Sequence, residues 1–554
     1  MTAGDRPVVP AGEVVGERES FDRSQGRSVV MTRGGIVAAE HPLAAAAGAA
    51  ILARGGHAAD AAMAANAVMG VVAPMMCGIG GDLFAIVHEG ATGRLHGLNA
   101  SGWAPAAASI ERLTRAGLTR MPAAGIHTVT VPGAVEGWVA LQGRFGRLGL
   151  ADVLAPAIAI ASEGFPVAEV FGASWGWGLP LLQPDTGMDV FYRGGRPPRV
   201  GEVFRNPELA RSYRQIATDG RDAFYRGEIA RRILAFCGRH GGAMQPEDLA
   251  EFQSEWVEPI SVTYRGWTVS ELPPNGQGIA ALVMLNLMEQ FPLADLGLGT
   301  ADALHVMIEA KKLAYADLVR YVSDPKFGHV PVAELLAKEY AQRRAKEIDM
   351  RRAAAAMPPG TPLDAGEDTT YLAAADRDGN VVSFIQSVYA LFGSGLAPDG
   401  TGFVLHNRGR SFSLDPAHPN ALEGRKRPLH TIIPGFMTRG GTRMAFGIMG
   451  GWNQAQAHAQ LVSQLVDGGL NVQAAVEAPR FSKRSFEGRD VEIEARVPPE
   501  VRDALAARGH EIQLRGVFST RMGGGQIVLR DVDAGVSHGA SDPRKDGAAI
   551  PEPI

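Results

Sequence analysis

The chain has 554 residues, 46% of them hydrophobic and 20% charged, which is enough apolar surface for a large core and excludes a disordered or fibrous protein. Its 54 basic and 59 acidic side chains are spread along the chain and sum to −5, without the basic face or stripe that a nucleic-acid binder carries. Two cysteines, Cys77 and Cys237, exclude a disulfide framework and a CxxC pair and suit a reducing compartment, the cytoplasm.

Residues 1–29 lack the apolar stretch of a secretory signal and read as a disordered lead. From about 36 to 70 the chain is Ala-rich and helical, with a stop at Gly55-Gly56. The 21 uncharged residues between Asp60 and Asp82 are interrupted by Pro74 and by Gly78, Gly80 and Gly81. They predict a buried helix of about a dozen residues running into a glycine loop, not a membrane span. GDLFAIVHEGATGRLHGLNASG predicts a hairpin turning at EGATG. Residues 125–180 read as mostly helical after a strand-like HTVTVPGAVEGW, and 202–260 as charged and helical. TYRGWTVSELPPNGQG (263–278) predicts one or two strands closing on a loop, and 301–322 a long amphipathic helix ending before Asp324-Pro325.

The clearest break in texture is 338–368, where a charged helix gives way to a Pro/Gly/Asp-rich connection without apolar periodicity. TTYLAAADRDGNVVSFIQSVYALFGSG then predicts two strands joined at Asp-Arg-Asp-Gly-Asn. Short strands (GFVLHN, RMAFGIMGG, GQIVLRDV) alternate with helices near 453–467 and 499–508. No repeat or heptad array is present, and the composite is a layered α+β or α/β architecture.

The familiar catalytic signatures are missing. There is no HExxH, zinc-type Cys/His spacing or EF-hand loop, and so no metal is expected. Gly78-Ile79-Gly80-Gly81 lacks the third glycine of a dinucleotide fingerprint and follows a helix, and a Walker lysine is absent. Asp368-Thr369-Thr370 remains. A Thr opening a strand is by itself a β-former, but here an accessible connection meets the strand. A Thr made N-terminal by cleavage would gain an amine with a pKa of about 7.7–8.0 that can activate its own hydroxyl. Gly450-Gly451, after the strand RMAFGIM, offers backbone N–H groups suited to an oxyanion hole, or simply a tight strand-to-helix turn.

These residues belong to a longer series. HPLAAAAGAAILARGGHAADAAMAANAVMGVVAPMMCGIGGDLF (41–84), VPGAVEGW (131–138), PPNGQG (273–278), KKLAYADLVRYVSDPKF (311–327) and DTTYLAAADRDGNVVSF (368–384) are followed by FGSG (392–395), GRKRP (424–428), GIMGG (447–451) and EAPRF (477–481). In this order, from about residue 30 to 530, the chain resembles the γ-glutamyltransferase family of self-cleaving N-terminal-nucleophile amidases, which includes glutathione hydrolases and some cephalosporin acylases. The resemblance implies an α+β fold, the four-layer αββα sandwich, needing no cofactor. It implies a proenzyme cut between Asp368 and Thr369 into a large subunit (30–368) and a small one (369–554) that stay together. Thr369 would be the nucleophile, Ser387 its hydroxyl partner, and Gly450 and Gly451 the oxyanion hole.

The positions that would define a γ-glutamyl donor depart from the family pattern. Ser101 stands where an Arg binds the donor's α-carboxylate, and Ser411 where an Asp holds its amino group. His430-Thr431 replaces a Ser-Ser pair, and Tyr389 an Asn. Arg408 and Arg410 lie nearby in sequence as replacement cations. The substrate expected is therefore a small amide whose acyl part is not γ-glutamyl, such as an oxamate-like or glutaryl-type compound. The alternatives are a true glutathione hydrolase with a rearranged pocket, and an inert relative serving as a binding scaffold. Retention of both Asp368-Thr369-Thr370 and Gly450-Gly451 speaks against the scaffold.

Overall fold

The computed structural model of the chain describes residues 25–355 and 368–554. The expected connection over 356–367 lies outside them, as does the expected disordered lead up to residue 24. From Gly26 the backbone is fastened: the Gly26 and Arg27 amides donate to the two Glu477 carboxylate oxygens at 2.6 and 3.0 Å.

Two seven-stranded sheets form the centre. One runs in the order Val30–Thr32, Val536–Ser541, Gly525–Asp531, Thr442–Ile448, Gly435–Arg439, Trp267–Glu271 and Ile260–Tyr264. The other runs Ala548–Pro551, Ile36–Ala39, Asp368–Ala375, Val381–Tyr389, Asp82–His88, Leu95–Ala100 and Glu255–Val257. Neighbours in both are antiparallel. Each sheet takes strands from both sides of residue 368, so a cut there would leave both pieces held together in each sheet.

The side-chain clusters define the layers. Ile36, Phe84, Tyr371, Ile385, Phe436 and Val528 fill the space between the sheets. Gly447 matters there because a Cβ on it would come within 2.4 Å of the Tyr371 ring. The outer face of the second sheet (Val37, Leu83, Val87, Leu372, Val382) packs on the helices Pro42–Ala53, Ala58–Val72 and Ala134–Phe145. The outer face of the first (Val269, Met437, Met444, Ile527) packs on Gly278–Met288, Ala301–Tyr321 and Gln454–Val466. Each large apolar side chain so enclosed contributes about 1.5–3 kcal/mol of burial. Helix, sheet, sheet and helix is the four-layer order expected.

The Ala-rich region begins differently from its reading as helix throughout. Ile36–Ala39 is a strand, because it finds partners at Asp368–Ala375 and Ala548–Pro551 that no local pattern reveals. Two helices follow, capped by His41, whose Nδ1 accepts from the Leu43 amide at 3.2 Å, and by His57 with Asp60. HTVTV is not a strand: its first two residues end the 3₁₀ turn Ile126–Thr128 and the other three are irregular. GFVLHN is irregular as well: Gly80 approaches so closely that a Cβ on it would lie 2.0 Å from the Val404 carbonyl oxygen, and the His406 amide donates to Gly80 O. The hairpins at 82–100 and 368–389 and the helix Ala301–Tyr321 form as read, and the one or two strands expected within 263–278 are the pair Ile260–Tyr264 and Trp267–Glu271, the first beginning earlier than read. Among the described residues no helix is long and apolar enough to cross a membrane. Cys77 and Cys237 are both buried thiols, each pushed up to about 12 by burial.

Candidate active site

Thr369 is fully buried where its strand begins. The ladder to Val381–Tyr389 slips at this point: Asp368 pairs with Tyr389 but Thr370 with Gln386, so Ser387 and Val388 together face Thr369. Such a bulge turns a side chain out of the regular alternation. The Thr369 hydroxyl donates to Ser387 Oγ at 3.2 Å, and Ser387 Oγ also accepts from the Tyr389 amide at 2.7 Å. Gln454 Nε2 reaches Thr369 Oγ1 at 3.4 Å from the first turn of its helix.

That helix is entered through Gly450 and Gly451, at φ +136° and +56°. Both lie in the region that favours glycine, which is why a strand can turn so abruptly into a helix here. Among the described residues neither amide N–H has an acceptor. Gln277 Nε2 steadies the turn by donating to Gly451 O at 2.8 Å and to Thr431 O at 2.6 Å. Two N–H groups without acceptors, linked through Gln454 to a threonine hydroxyl, make an arrangement able to receive the oxygen of a carbonyl under attack.

A cluster of buried charge adjoins Ser387. Asp82 pairs directly with Ser387 across the sheet. Its carboxylate accepts from the Gly102 amide (2.9 Å) and from His430 Nε2 (2.9 Å), and lies 3.2 Å from His406 Nδ1. Burial alone would raise the Asp82 pKa, but the two imidazoles hold it well below the usual carboxylate range. Burial and the neighbouring Arg408 bring His430 down to about 3, so this imidazole is neutral and donates from Nε2 while Nδ1 accepts from the Ile432 amide.

Arg408 is the unusual member. It is fully buried, 3.8 Å from Asp82, with Nη1 donating to Thr431 Oγ1 at 2.7 Å. The guanidinium sits 4.1 Å from the centre of the Tyr389 ring. Tyr389 reaches that position from φ +79°, a strained conformation for a bulky residue. Burial brings Arg408 down to about 10, which leaves it charged at neutral pH. Among the described residues its Nε and Nη2 have no hydrogen-bond acceptor, and Ser411 Oγ on the same 3₁₀ turn, Arg408–Ser411, has no hydrogen-bond partner.

Of the other residues singled out in the sequence, Arg410 is half-buried on that turn. Ser101 is buried, and its hydroxyl donates to Asn99 Oδ1 (2.7 Å) and accepts from Asn275 Nδ2 (3.2 Å). Asp82, His406, Gln277 and Gln454 were not singled out, because each gains its meaning from a partner far away in the chain. Among the described residues one trio, His305, Glu309 and His510, is close enough together to hold a metal ion. Lys312 Nζ already occupies Glu309 at 2.7 Å and His305 is bonded to His510 at 2.8 Å, so an ammonium and an imidazole–imidazole hydrogen bond already engage these groups.

The family model for gamma-glutamyltranspeptidase matches residues 44–552. The chain is 38% identical to the glutathione hydrolase-like YwrD proenzyme of Bacillus subtilis, covering 95% of this chain and 99% of that protein. It is 35% identical to the oxamate amidohydrolase proenzyme of Klebsiella pneumoniae, covering 93% and 98%. Among solved structures, cephalosporin acylase from Bacillus halodurans superposes with a TM-score of 0.90 at 44% identity, covering 97% of this chain and 99% of that one.

Proposed function

The chain belongs to the gamma-glutamyltranspeptidase family, enzymes of the N-terminal-nucleophile type, and from that premise we propose that it cleaves itself before Thr369 and then hydrolyses a small, acid-bearing amide. The observation that carries this reading is the Thr369 hydroxyl, tied to Ser387 and Gln454 beside the two unaccepted amides of Gly450 and Gly451.

In maturation, Thr369 Oγ1 attacks the carbonyl carbon of Asp368. The C–N bond breaks as its nitrogen takes up the proton that Oγ1 gives up, and water hydrolyses the resulting ester. The α-amine of Thr369, with an unperturbed pKa of about 7.7–8.0, then serves as the base. It takes the Oγ1 proton as Oγ1 bonds to the substrate carbonyl carbon, and the oxyanion forms against the Gly450 and Gly451 N–H groups. The ammonium returns that proton to the leaving nitrogen as the amide C–N bond breaks. Water, deprotonated by the same amine, releases the acid.

Arg408 supports the choice of substrate. A buried guanidinium with two donor atoms lacking acceptors, its Asp82 partner 3.8 Å away, gains from an anion that can accept from those donors directly. A carboxylate on the acyl half of the substrate meets that need. Asp82, the carboxylate beside Arg408, is already engaged with His430 and His406, which argues against a site for the additional ammonium of a γ-glutamyl group.

A donor panel tests the assignment. Glutaryl-4-nitroanilide is expected to be hydrolysed with higher kcat/KM than γ-glutamyl-4-nitroanilide or glutathione. Arg408→Met is expected to lower kcat/KM on the glutaryl donor by about tenfold to a hundredfold, the range for losing a charged hydrogen bond, and to leave acetyl-4-nitroanilide nearly unaffected. Glutathione emerging as the best donor, at about 10⁴ M⁻¹s⁻¹ or above, would contradict the reading.

A further inference from the structure

Gly450 also lines a cavity of about 260 Å³, which it shares with Met76, Trp177, Arg484, Arg521 and Lys545. Arg484 and Arg521 have their charge countered by Glu492, at 3.5 and 2.7 Å. Lys545 does not. It is 3% exposed, yet among the described residues its ammonium has neither an ion pair nor a hydrogen-bond acceptor; a face of the Phe171 ring, 6.0 Å from Nζ, is its recorded contact.

The surrounding chain holds Lys545 rigidly. On one side Arg544 is bonded to Glu494 and Asp542; on the other, the Asp546 carboxylate accepts from the Val170 and Phe171 amides. The stem lies over Gly524, where a Cβ would come within 2.3 Å of Lys545 Cγ. A fixed ammonium that borders the cavity without a counter-charge is placed to receive an anionic group.

The two cations connect to the glycine turn through different residues. Arg408 holds Thr431, whose carbonyl is bridged by Gln277 to that of Gly451, whereas Lys545 shares its cavity with Gly450. Arg408 is fully enclosed, whereas Trp177 at the Lys545 cavity is 61% exposed. In an acyl-enzyme reaction the amine leaves first while the acyl group stays on the nucleophile, so the amine half needs the open side. We infer that the Gly450 cavity receives the amine half of the substrate and that Lys545 selects amines carrying a carboxylate. This rests on the amidase reading above and extends it: the preferred substrate has an acid on each side of the scissile amide, and the exposed Trp177 ring offers a surface for a flat amine body.

Calorimetric binding to the purified protein tests this without requiring turnover. The probes are 5-amino-2-nitrobenzoate and 4-nitroaniline, a ring amine with and without a carboxylate. The acid is expected to bind about tenfold to a hundredfold more tightly than the neutral amine. Lys545→Met, which keeps the stem over Gly524, is expected to abolish that preference, Lys545→Arg to retain it, and Trp177→Ala to weaken both probes alike. Equal affinities in the wild type, no binding at millimolar concentration, or a preference that survives in Lys545→Met and in Lys545→Gln would overturn the inference. Selective binding by a protein that hydrolyses no amide would instead retain the anion site and overturn the amidase reading.

Discussion

Thr369→Ala is expected to remain one chain of 58.5 kDa and to hydrolyse nothing. The wild type is expected to separate on a denaturing gel into fragments of about 39 and about 20 kDa, the smaller beginning Thr-Thr-Tyr-Leu. The reason is that one hydroxyl serves twice, first against the Asp368 carbonyl and then against substrate. Replacing it with hydrogen removes both steps while leaving the strand's ladder unchanged. Ser387→Ala is a milder version of the same test. It removes the acceptor at 3.2 Å and should slow both steps without abolishing either. Fragments appearing in Thr369→Ala would place the cut on another group.

The second large effect is expected at the glycine turn. In Gly451→Ala the new side chain opposes φ +56° and pulls the backbone toward negative φ, rotating the N–H away from the carbonyl oxygen. The expected loss in kcat is about 10²–10³, the scale for one oxyanion donor. Self-cleavage is expected to slow as well, because the Asp368 carbonyl passes through the same kind of intermediate. Maturation is therefore followed to completion and kcat is normalised to the small fragment, so that a folding defect appears as lost fragment instead of lost turnover. A fully matured Gly451→Ala with normal kcat would move the oxyanion site elsewhere.

What could be read in the sequence follows the range of the interactions. The hairpin at 368–389 was legible because its turn, Asp-Arg-Asp-Gly-Asn, and its flanking apolar runs are local. The helix Ala301–Tyr321 was legible from its own periodicity. Ile36–Ala39 was not, because a short segment leading into an Ala-rich helix acquires strand character only from partners at 372–375 and 548–551. GFVLHN fails the other way: its alternation is strand-like, but the Gly80 loop crowds it and leaves no ladder to join.

The site divides along the same line. Thr369, Gly450 and Gly451 stand out because their chemistry needs a residue type at a junction. Arg408 was one of two possible cations, and burial distinguishes it from the half-buried Arg410. Asp82 looked like the polar end of an apolar stretch; its importance lies with His430, 348 positions away. Lys545 carries no local signal, because an ammonium lacking a partner is visible only once the chain has closed around it.

The most direct test of the central claim is intact-mass spectrometry of the purified protein after brief incubation with glutaryl-4-nitroanilide and rapid acid quenching. The account predicts two polypeptides, with one glutaryl group on the smaller and peptide mapping that places it on the N-terminal Thr369. An uncleaved chain that nevertheless releases nitroaniline, or an acyl group on any other residue, would contradict it.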